Sequence, residues 1–274
     1  MDTKFLAKYI TNKNLIALVD EMLNQEDVYV IKYEYYKETD FKDRVFIGSE
    51  EVKDFSKYNK INVGENFTTI KSRKGSPYTL EEHSRRVLDE TKKILDNNSH
   101  IYDALDSMDF ATMYDKEKAI AEFKNICLAG AYLHDIGKAL IGVDGVQIDD
   151  HSYVGGNYIY RWMDRVYDLY EGDWYKEIIF AKLDSIIRWH MGFVIDKESK
   201  DFIAERRPDS LKHIETYIVS MADWEVNAPN GKRNELIQRE LADFTSMLNS
   251  RNYRISSAGR NLVITSGKIR LAIR

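Results

Sequence analysis

The stretch Leu128-Ala-Gly-Ala-Tyr-Leu-His-Asp-Ile-Gly-Lys-Ala-Leu140 is the centre around which the rest of the chain is organised. Within it, His134 and Asp135 stand side by side at the end of an apolar run, and Gly137 and Lys138 follow at once. A neutral imidazole next to a carboxylate, walled by apolar side chains, makes half of a metal site. The pair therefore predicts a metal centre whose other ligands come from distant His and Asp residues.

The composition is that of a folded, globular protein. Hydrophobic residues make up 43% and charged residues 31% of the 274 positions, which excludes a disordered chain. The net charge of −5 argues against nucleic-acid binding by the whole surface but leaves a local basic groove open. The single Cys127 excludes an intramolecular disulfide and a Cys-rich zinc site, and it suits a reducing compartment.

The same sequence predicts a cytoplasmic protein with no membrane partner. The apolar stretch from Ile126 to Leu133 is far too short to span a bilayer. No apolar signal region follows Met1, so export is not expected.

Residues 1–75 read as a small α/β appendage. The pattern predicts one short helix and then β-rich segments bounded by polar residues. The predicted elements are a helix over Leu15–Leu23 and strands over Val28–Tyr36, Arg44–Ile47 and Asn66–Lys71.

Residues 76–250 read as a helical core. Thr79 and Glu82 form a capping-box pattern, which predicts a helix to about Leu95 with Val87, Leu88, Thr91, Ile94 and Leu95 on one face. The next helix ends at the His134-Asp135 pair, with Gly137 as terminator, and its small residues Ala129, Gly130 and Ala131 would let another helix approach closely. Helical periodicity returns at Lys116. The helices predicted from there on are Lys116–Leu133, His151–Tyr170, Asp173–His190, Ser210–Val226 and Asn234–Leu248.

The last segment, 251–274, reads as a basic β-hairpin around Ser266-Gly267. Its six basic residues and lack of acidic ones are compatible with an anionic-ligand surface. A solvated strand face that pairs with the N-terminal strands is the favoured interpretation.

Six residues are candidate metal ligands because each lies near a helix end or inside an apolar helical stretch. Asp223 is the strongest single case, since a carboxylate in an apolar helix is costly unless it is paired or binds metal. His100 lies in a polar setting and is left out, and the acidic loop with Asp144, Asp149 and Asp150 does not match a calcium loop. The six candidates are His83, His134, Asp135, His151, His190 and Asp223.

This order of His, His-Asp, His, His and Asp resembles the HD-domain superfamily of metal-dependent phosphohydrolases. The segment His134-Asp-Ile-Gly-Lys138 is similar to the HDIG variant letter for letter, and the resemblance covers about residues 76–227. It implies a mainly α, HD-type helical bundle. It also implies that His83, His134, Asp135 and Asp223 hold one metal ion, while His151 and His190 hold a second that Asp135 bridges.

The resemblance implies a catalytic role for Asp135, as the bridging ligand, and for Lys138. Imidazoles and carboxylates suit two divalent ions of Mn, Fe, Co, Ni or Zn, and Mg is admitted. Such ions would activate water near neutral pH and neutralise phosphoryl charge. Lys138, with Arg85, Arg86 and Arg188, would bind phosphate oxygens, although ordinary surface charge is an equal explanation for the three arginines.

Three functions are compatible with this pattern. The favoured one is a phosphohydrolase or phosphodiesterase acting on a small phosphorylated substrate: a nucleotide, cyclic nucleotide or short oligonucleotide. The alternative is a mixed-valent di-iron oxygenase of the HD type that cleaves a C–C or C–P bond, and the third is a non-catalytic nucleotide-binding module. The chain lacks the GYP motif of cyclic-di-GMP hydrolases, which counts against cyclic-di-GMP as the substrate. A homodimer is also compatible with the sequence.

Overall fold

Most of the described chain is helical, and the predicted mainly α fold class is confirmed. The computed structural model describes residues 2–25, 28–31, 45–47, 58–97, 116–142, 151–170, 176–192, 214–227, 263–266 and 269–272. Its α-helices are α1 (Lys13–Leu23), α2 (Val63–Thr69), α3 (Leu80–Asn97), α4 (Lys116–Leu133), α5 (Ile136–Ile141), α6 (His151–Arg161), α7 (Met163–Leu169), α8 (Lys176–Trp189) and α9 (Ile214–Asn227). Its strands are β1 (Val28–Ile31), β2 (Val45–Ile47), β3 (Tyr58–Ile61), β4 (Val263–Ser266) and β5 (Ile269–Ala272), and short 3₁₀ helices cover Lys4–Lys8 and His190–Gly192.

Helix α3 begins where the capping box predicts. The Thr79 N–H donates to the Glu82 carboxylate at 2.8 Å, and the Glu82 N–H donates to the Thr79 hydroxyl at 3.2 Å. These bonds satisfy two amides that a first helical turn leaves unpaired. The predicted face is buried along its length: Val87, Leu88, Thr91, Ile94 and Leu95. His83 is buried on the same helix.

Helix α4 lies at the centre of the helical bundle. Every residue from 125 to 133 is buried, and the helix packs against α1, α3, α8 and α9. A β-carbon on Gly130 would lie 2.6 Å from Cδ1 of Ile186 on α8, so the predicted close approach is confirmed at this residue. The end of α4 therefore brings His134 into the interior.

The N-terminal segment contains a three-stranded antiparallel sheet in the order β2-β1-β3. Helix α1 and strands β1 and β2 fall within or next to the predicted elements. The strand predicted over Asn66–Lys71 is wrong, because most of that segment belongs to helix α2. The Asn62 side chain accepts the Glu65 N–H at 3.0 Å and caps α2. Val63 and Phe67, one turn apart, are buried, so helical periodicity prevails over the β-propensity of the Phe-Thr-Thr-Ile run.

The buried core is continuous from the N-terminal helices into the helical bundle. Leu18 and Phe67 belong to the same hydrophobic cluster as Leu133 on α4. The Tyr158 hydroxyl on α6 donates to the Met22 carbonyl on α1 at 2.6 Å. The helices before residue 75 are thus packed into the bundle, while the domain boundaries themselves stay predictions.

Strands β4 and β5 pair antiparallel, with Ser266 opposite Ile269, as expected for the hairpin. Among the described strands they form a sheet of their own, so the pairing predicted between this tail and the N-terminal strands is not found there. The helix predicted over His151–Tyr170 is broken at Trp162, whose N–H bonds to the carbonyl of Ile159, three residues back. In the described parts of the chain, no helix has the length and apolarity needed to cross a membrane.

Three further predictions lie outside the described residues. They are the helix over 234–248, the polar segment with His100, and the loop with Asp144, Asp149 and Asp150.

Candidate metal centre

All six predicted ligands lie together in the interior. They come from different elements: α3 supplies His83, the turn after α4 supplies His134 and Asp135, α6 begins with His151, a 3₁₀ turn after α8 holds His190, and α9 carries Asp223. Each is at most 6% exposed. The bundle therefore brings four imidazoles and two carboxylates, separated by up to 140 residues in sequence, into one buried cluster.

The carboxylate of Asp135 lies between two pairs of imidazoles. Its Oδ2 atom is 3.6 Å from Nε2 of His83 and 3.5 Å from Nε2 of His134. Its Oδ1 atom is 2.9 Å from Nε2 of His151 and 3.5 Å from Nε2 of His190. Each oxygen and the imidazole pair beside it thus form a set of donors that could hold a metal ion.

Asp223 joins the imidazoles on the Oδ2 side. Its Oδ1 atom is 3.0 Å from Nε2 of His83 and 3.5 Å from Nε2 of His134. We call His83, His134, Asp135 and Asp223 the first ligand group, and Asp135, His151 and His190 the second ligand group. In the second group the Nε2 atoms of His151 and His190 are 3.2 Å apart.

Backbone carbonyls orient two of the imidazoles. Nδ1 of His134 lies 2.8 Å from the Ala131 carbonyl, and Nδ1 of His190 lies 2.8 Å from the Ile187 carbonyl. Since a carbonyl only accepts, Nδ1 carries the proton in each neutral ring and the Nε2 lone pair is directed into the cluster. Nε2 of His134 is buried without a hydrogen-bond partner in the described part of the chain. A buried acceptor left in this state fits a metal ligand.

The electrostatics keep both carboxylates charged. Burial alone would raise the pKa of Asp135, but Lys138, His134 and His151 outweigh it and hold that pKa well below its ordinary value. The pKa of Asp223 is likewise lowered well below its ordinary value, because His134 and His83 outweigh burial. Charged carboxylates are the form that binds a cation.

The two imidazoles oriented by backbone differ in protonation. Burial lowers the pKa of His190 to about 4, so this ring is neutral and ready to bind metal at neutral pH. For His134, burial also favours the neutral ring, but Asp135 and Asp223 outweigh it and raise the pKa. A metal ion in the first ligand group must therefore compete with a proton on His134.

Glycines let the helices that carry the ligands approach closely. A β-carbon on Gly137 would lie 1.8 Å from the His151 carbonyl oxygen, so α5 rests directly on the first turn of α6. A β-carbon on Gly155 would lie 2.7 Å from Ile187 in the same way, so α6 also packs closely against α8. Gly137 was predicted to terminate a helix, but it lies in α5, and the left-handed residue after α5 is Gly142, with φ of 71°. The close approach at Gly137 is what holds His151 beside Asp135.

Lys138 contacts the cluster directly. Its Nζ lies 2.6 Å from Oδ2 of Asp135, and its side chain is 19% exposed, against 2% for that of Asp135. Lys138 therefore lies between the buried carboxylate and the protein surface.

The three arginines predicted to bind phosphate have other partners. Arg85 donates to Glu81 at 2.7 Å and lies over the Phe5 ring, while Arg86 lies over the Tyr78 ring. Arg188 donates to Asp184 at 2.8 Å and packs against Gly156. These partners support the interpretation of the three arginines as ordinary charged residues at least as well as a phosphate-binding role.

One residue of the site was not predicted. The Asn227 amide, at the end of α9, donates to Oδ1 of Asp223 at 2.7 Å and so orients this carboxylate. The spacing of four residues on a helix was the available signal, since Asn and Asp side chains at this distance can bond.

A protein-family model described as the HD domain matches residues 80–228, which is more than half of the chain and contains all six ligand candidates. The match is to the HD domain in general, so the HDIG variant stays a prediction. Comparisons with curated proteins and with solved structures found no match.

Proposed function

Since this chain belongs to the HD-domain family, whose members are generally metal-dependent phosphohydrolases, we propose that it hydrolyses a phosphate ester or phosphodiester at a two-metal centre. The substrate class that we propose is a nucleotide, a cyclic nucleotide or a short oligonucleotide. In this proposal the first and second ligand groups each hold one divalent transition-metal ion, with Mg²⁺ as a further option.

The observation that carries the proposal is the position of Asp135. Its two oxygens face different imidazole pairs, with Oδ2 near His83 and His134 and Oδ1 near His151 and His190. A carboxylate placed in this way is suited to bridge two ions. The orphaned Nε2 of His134 and the inward lone pair of His190 support the same interpretation.

When bound, the two ions would supply Lewis-acid activation of a water molecule and of the phosphoryl oxygens. The chain's own residues would do the rest. Asp135 and Asp223 stay ionised because their pKa values are lowered, and Asn227 holds Asp223 in orientation. Lys138, at the exposed side of Asp135, would place a positive charge against a non-bridging phosphate oxygen.

The apolar residues around the cluster would limit the access of water. Leu133 and Ile136, which flank His134 and Asp135 in sequence, are completely buried, and so is Ile187, three residues before His190. A dry site strengthens the interaction between ions and phosphate, because charges attract more strongly where the effective dielectric constant is low.

The test is elemental analysis of the purified protein together with a substrate panel. The panel contains nucleotides, cyclic nucleotides, short oligonucleotides and bis(p-nitrophenyl) phosphate, each with Mn, Fe, Co, Ni, Zn or Mg, with and without oxygen. We expect two ions per chain and phosphate-ester cleavage that needs metal and not oxygen. Asp96→Ala, at an exposed position of α3, is the control for a surface carboxylate.

Two results would contradict the proposal. Two irons with oxygen uptake and no phosphoesterase activity would favour the oxygenase alternative. Nucleotide binding without turnover under every metal condition would favour a binding module.

A further inference from the structure

A layer of polar residues is buried in the bundle behind the ligand cluster. Lys182 on α8 donates to Oε1 of Glu215 on α9, and the two residues are 7% and 0% exposed. Beside them, the hydroxyls of Ser185 and Thr216 join the same two helices at 2.9 Å. We call these four residues the buried polar layer.

The spacing in sequence between the layer and the next candidate ligand is the same on α8 and on α9. Lys182 precedes His190 by eight residues, and Glu215 precedes Asp223 by eight residues. At 1.5 Å per residue, both helices advance about 12 Å from the ion pair to their ligand. The ion pair thus joins α8 and α9 at equivalent levels, two turns before each supplies a ligand.

Helix α4 packs against α8 and α9, the two helices that carry the layer. Burial raises the pKa of the Cys127 thiol well above its ordinary value, and the nearby charges of Glu215 and Lys182 act on it in opposite directions. Cys127 precedes His134 by seven residues, again about two turns. Along α4, α8 and α9, a candidate ligand therefore follows the buried polar layer after about two turns.

Stability alone does not account for a charged pair at this place. Replacing a buried ion pair by apolar residues of similar volume is often neutral or stabilising, because removal of both charges from water is costly. The neighbours on α8, Leu183 and Ile186, are completely buried, so this part of the helix accommodates apolar side chains. An ion pair differs from an apolar contact in being directional, so it defines one alignment of the two helices.

We propose that Lys182 and Glu215 form a positioning pair that fixes the alignment of α8 with α9 and thereby sets the separation of His190 from Asp223. This inference rests on the proposed function, because His190 belongs to the second ligand group and Asp223 to the first. The pair controls how the two groups are placed relative to each other, and it touches neither substrate nor metal.

The test replaces both charges at once. Lys182→Met with Glu215→Leu removes the pair without leaving a lone buried charge, so we expect a folded protein with a Tm at or above that of the unsubstituted chain. Co²⁺ is the probe, because its visible spectrum reports coordination geometry. We expect Co²⁺ affinity to fall about ten- to a hundredfold, as for other residues that support metal ligands, with a changed spectrum.

A control removes a more exposed ion pair elsewhere. Glu21 and Arg165 join α1 to α7 at 2.5 Å, and neither helix carries a candidate ligand. Glu21→Leu with Arg165→Met should leave the Co²⁺ affinity and spectrum unchanged. An unchanged affinity and spectrum in the folded Lys182→Met, Glu215→Leu protein would overturn the positioning role.

A second comparison covers the case in which the apolar variant does not fold. Glu215→Asp keeps the charge but shortens the side chain, and Lys182→Arg in the same chain supplies a longer partner. We expect Glu215→Asp to weaken Co²⁺ binding and the double variant to recover it. Equal binding by both contradicts the inference, whereas an unsubstituted chain that binds none of Mn, Fe, Co, Ni, Zn or Mg would overturn the proposed function itself.

Discussion

The two ligand groups are held by the fold in different ways. The first group depends on side chains from α3, from the turn directly after α4, and from α9, and these three helices bury apolar residues in the bundle. The second depends on a backbone contact, because His151 reaches Asp135 where α5 and α6 touch at Gly137. The first also contains two carboxylates, and the second contains only the shared Asp135.

This difference predicts which of the two ions is released first. Two negative charges attract a divalent ion more strongly than one does. The first group also tolerates small changes better, since its helices are fixed by many apolar contacts. We therefore expect the first ion to remain bound under changes that release the second.

The largest effect is expected where the groups share a ligand. Asp135→Ala removes the oxygen that faces His83 and the oxygen that faces His151. We expect loss of both ions and of turnover, measured by elemental analysis and phosphate release. A variant that keeps two ions and full activity would remove the central role assigned to this carboxylate.

Gly137→Ala should separate the two groups. The added β-carbon would lie 1.8 Å from the His151 carbonyl, so α5 and α6 must move apart. We expect destabilisation of about 3 kcal/mol, at the upper end for overpacking, and a metal content that falls from two ions towards one. Thermal unfolding and elemental analysis measure the two effects.

The control for Gly137→Ala is a glycine substitution that strains the backbone but brings the new β-carbon into contact with no other atom. Gly75 has φ of 75°, and nothing lies within 4 Å of the position that a β-carbon would take there, so Gly75→Ala should cost about 1 kcal/mol and leave two ions bound. Equal metal content in the two variants would show that the backbone contact does not hold the second group.

Asn227→Ala should affect the first group alone. The Asn227 amide orients Asp223 through a 2.7 Å bond to Oδ1, and loss of such a support typically weakens metal binding about tenfold or more. The side chain is only partly buried, so stability should change little. Metal titration of the variant should show a lower affinity for one ion and an unchanged affinity for the other. An equal loss of affinity for both ions would contradict the division into groups.

The cluster of candidate ligands was more predictable than the contacts that support it. His134 and Asp135 were identified because a polar pair ends an apolar helix, and Asp223 because a carboxylate in an apolar helix is costly unless it is paired or binds metal. The close contact at Gly137 and the partners of Arg85 are tertiary facts that local periodicity does not contain. The same reason explains α2, where a residue pair one turn apart, Val63 and Phe67, is buried against the bundle and prevails over local β-propensity.

The smallest expected effect is a difference in pH dependence between the groups. The pKa of His134 is raised from its ordinary 6.5, so a proton occupies this ring at higher pH and is displaced by the first ion. The pKa of His190 is about 4, so no proton on this ring opposes the second ion near neutral pH. As the pH falls towards the raised pKa of His134, affinity for the first ion should therefore fall more steeply than affinity for the second. His190→Ala and Asp223→Ala isolate the first and second group for this titration. The same slope in both variants would mean that proton competition does not distinguish the groups, and that their difference lies in packing and carboxylate charge alone.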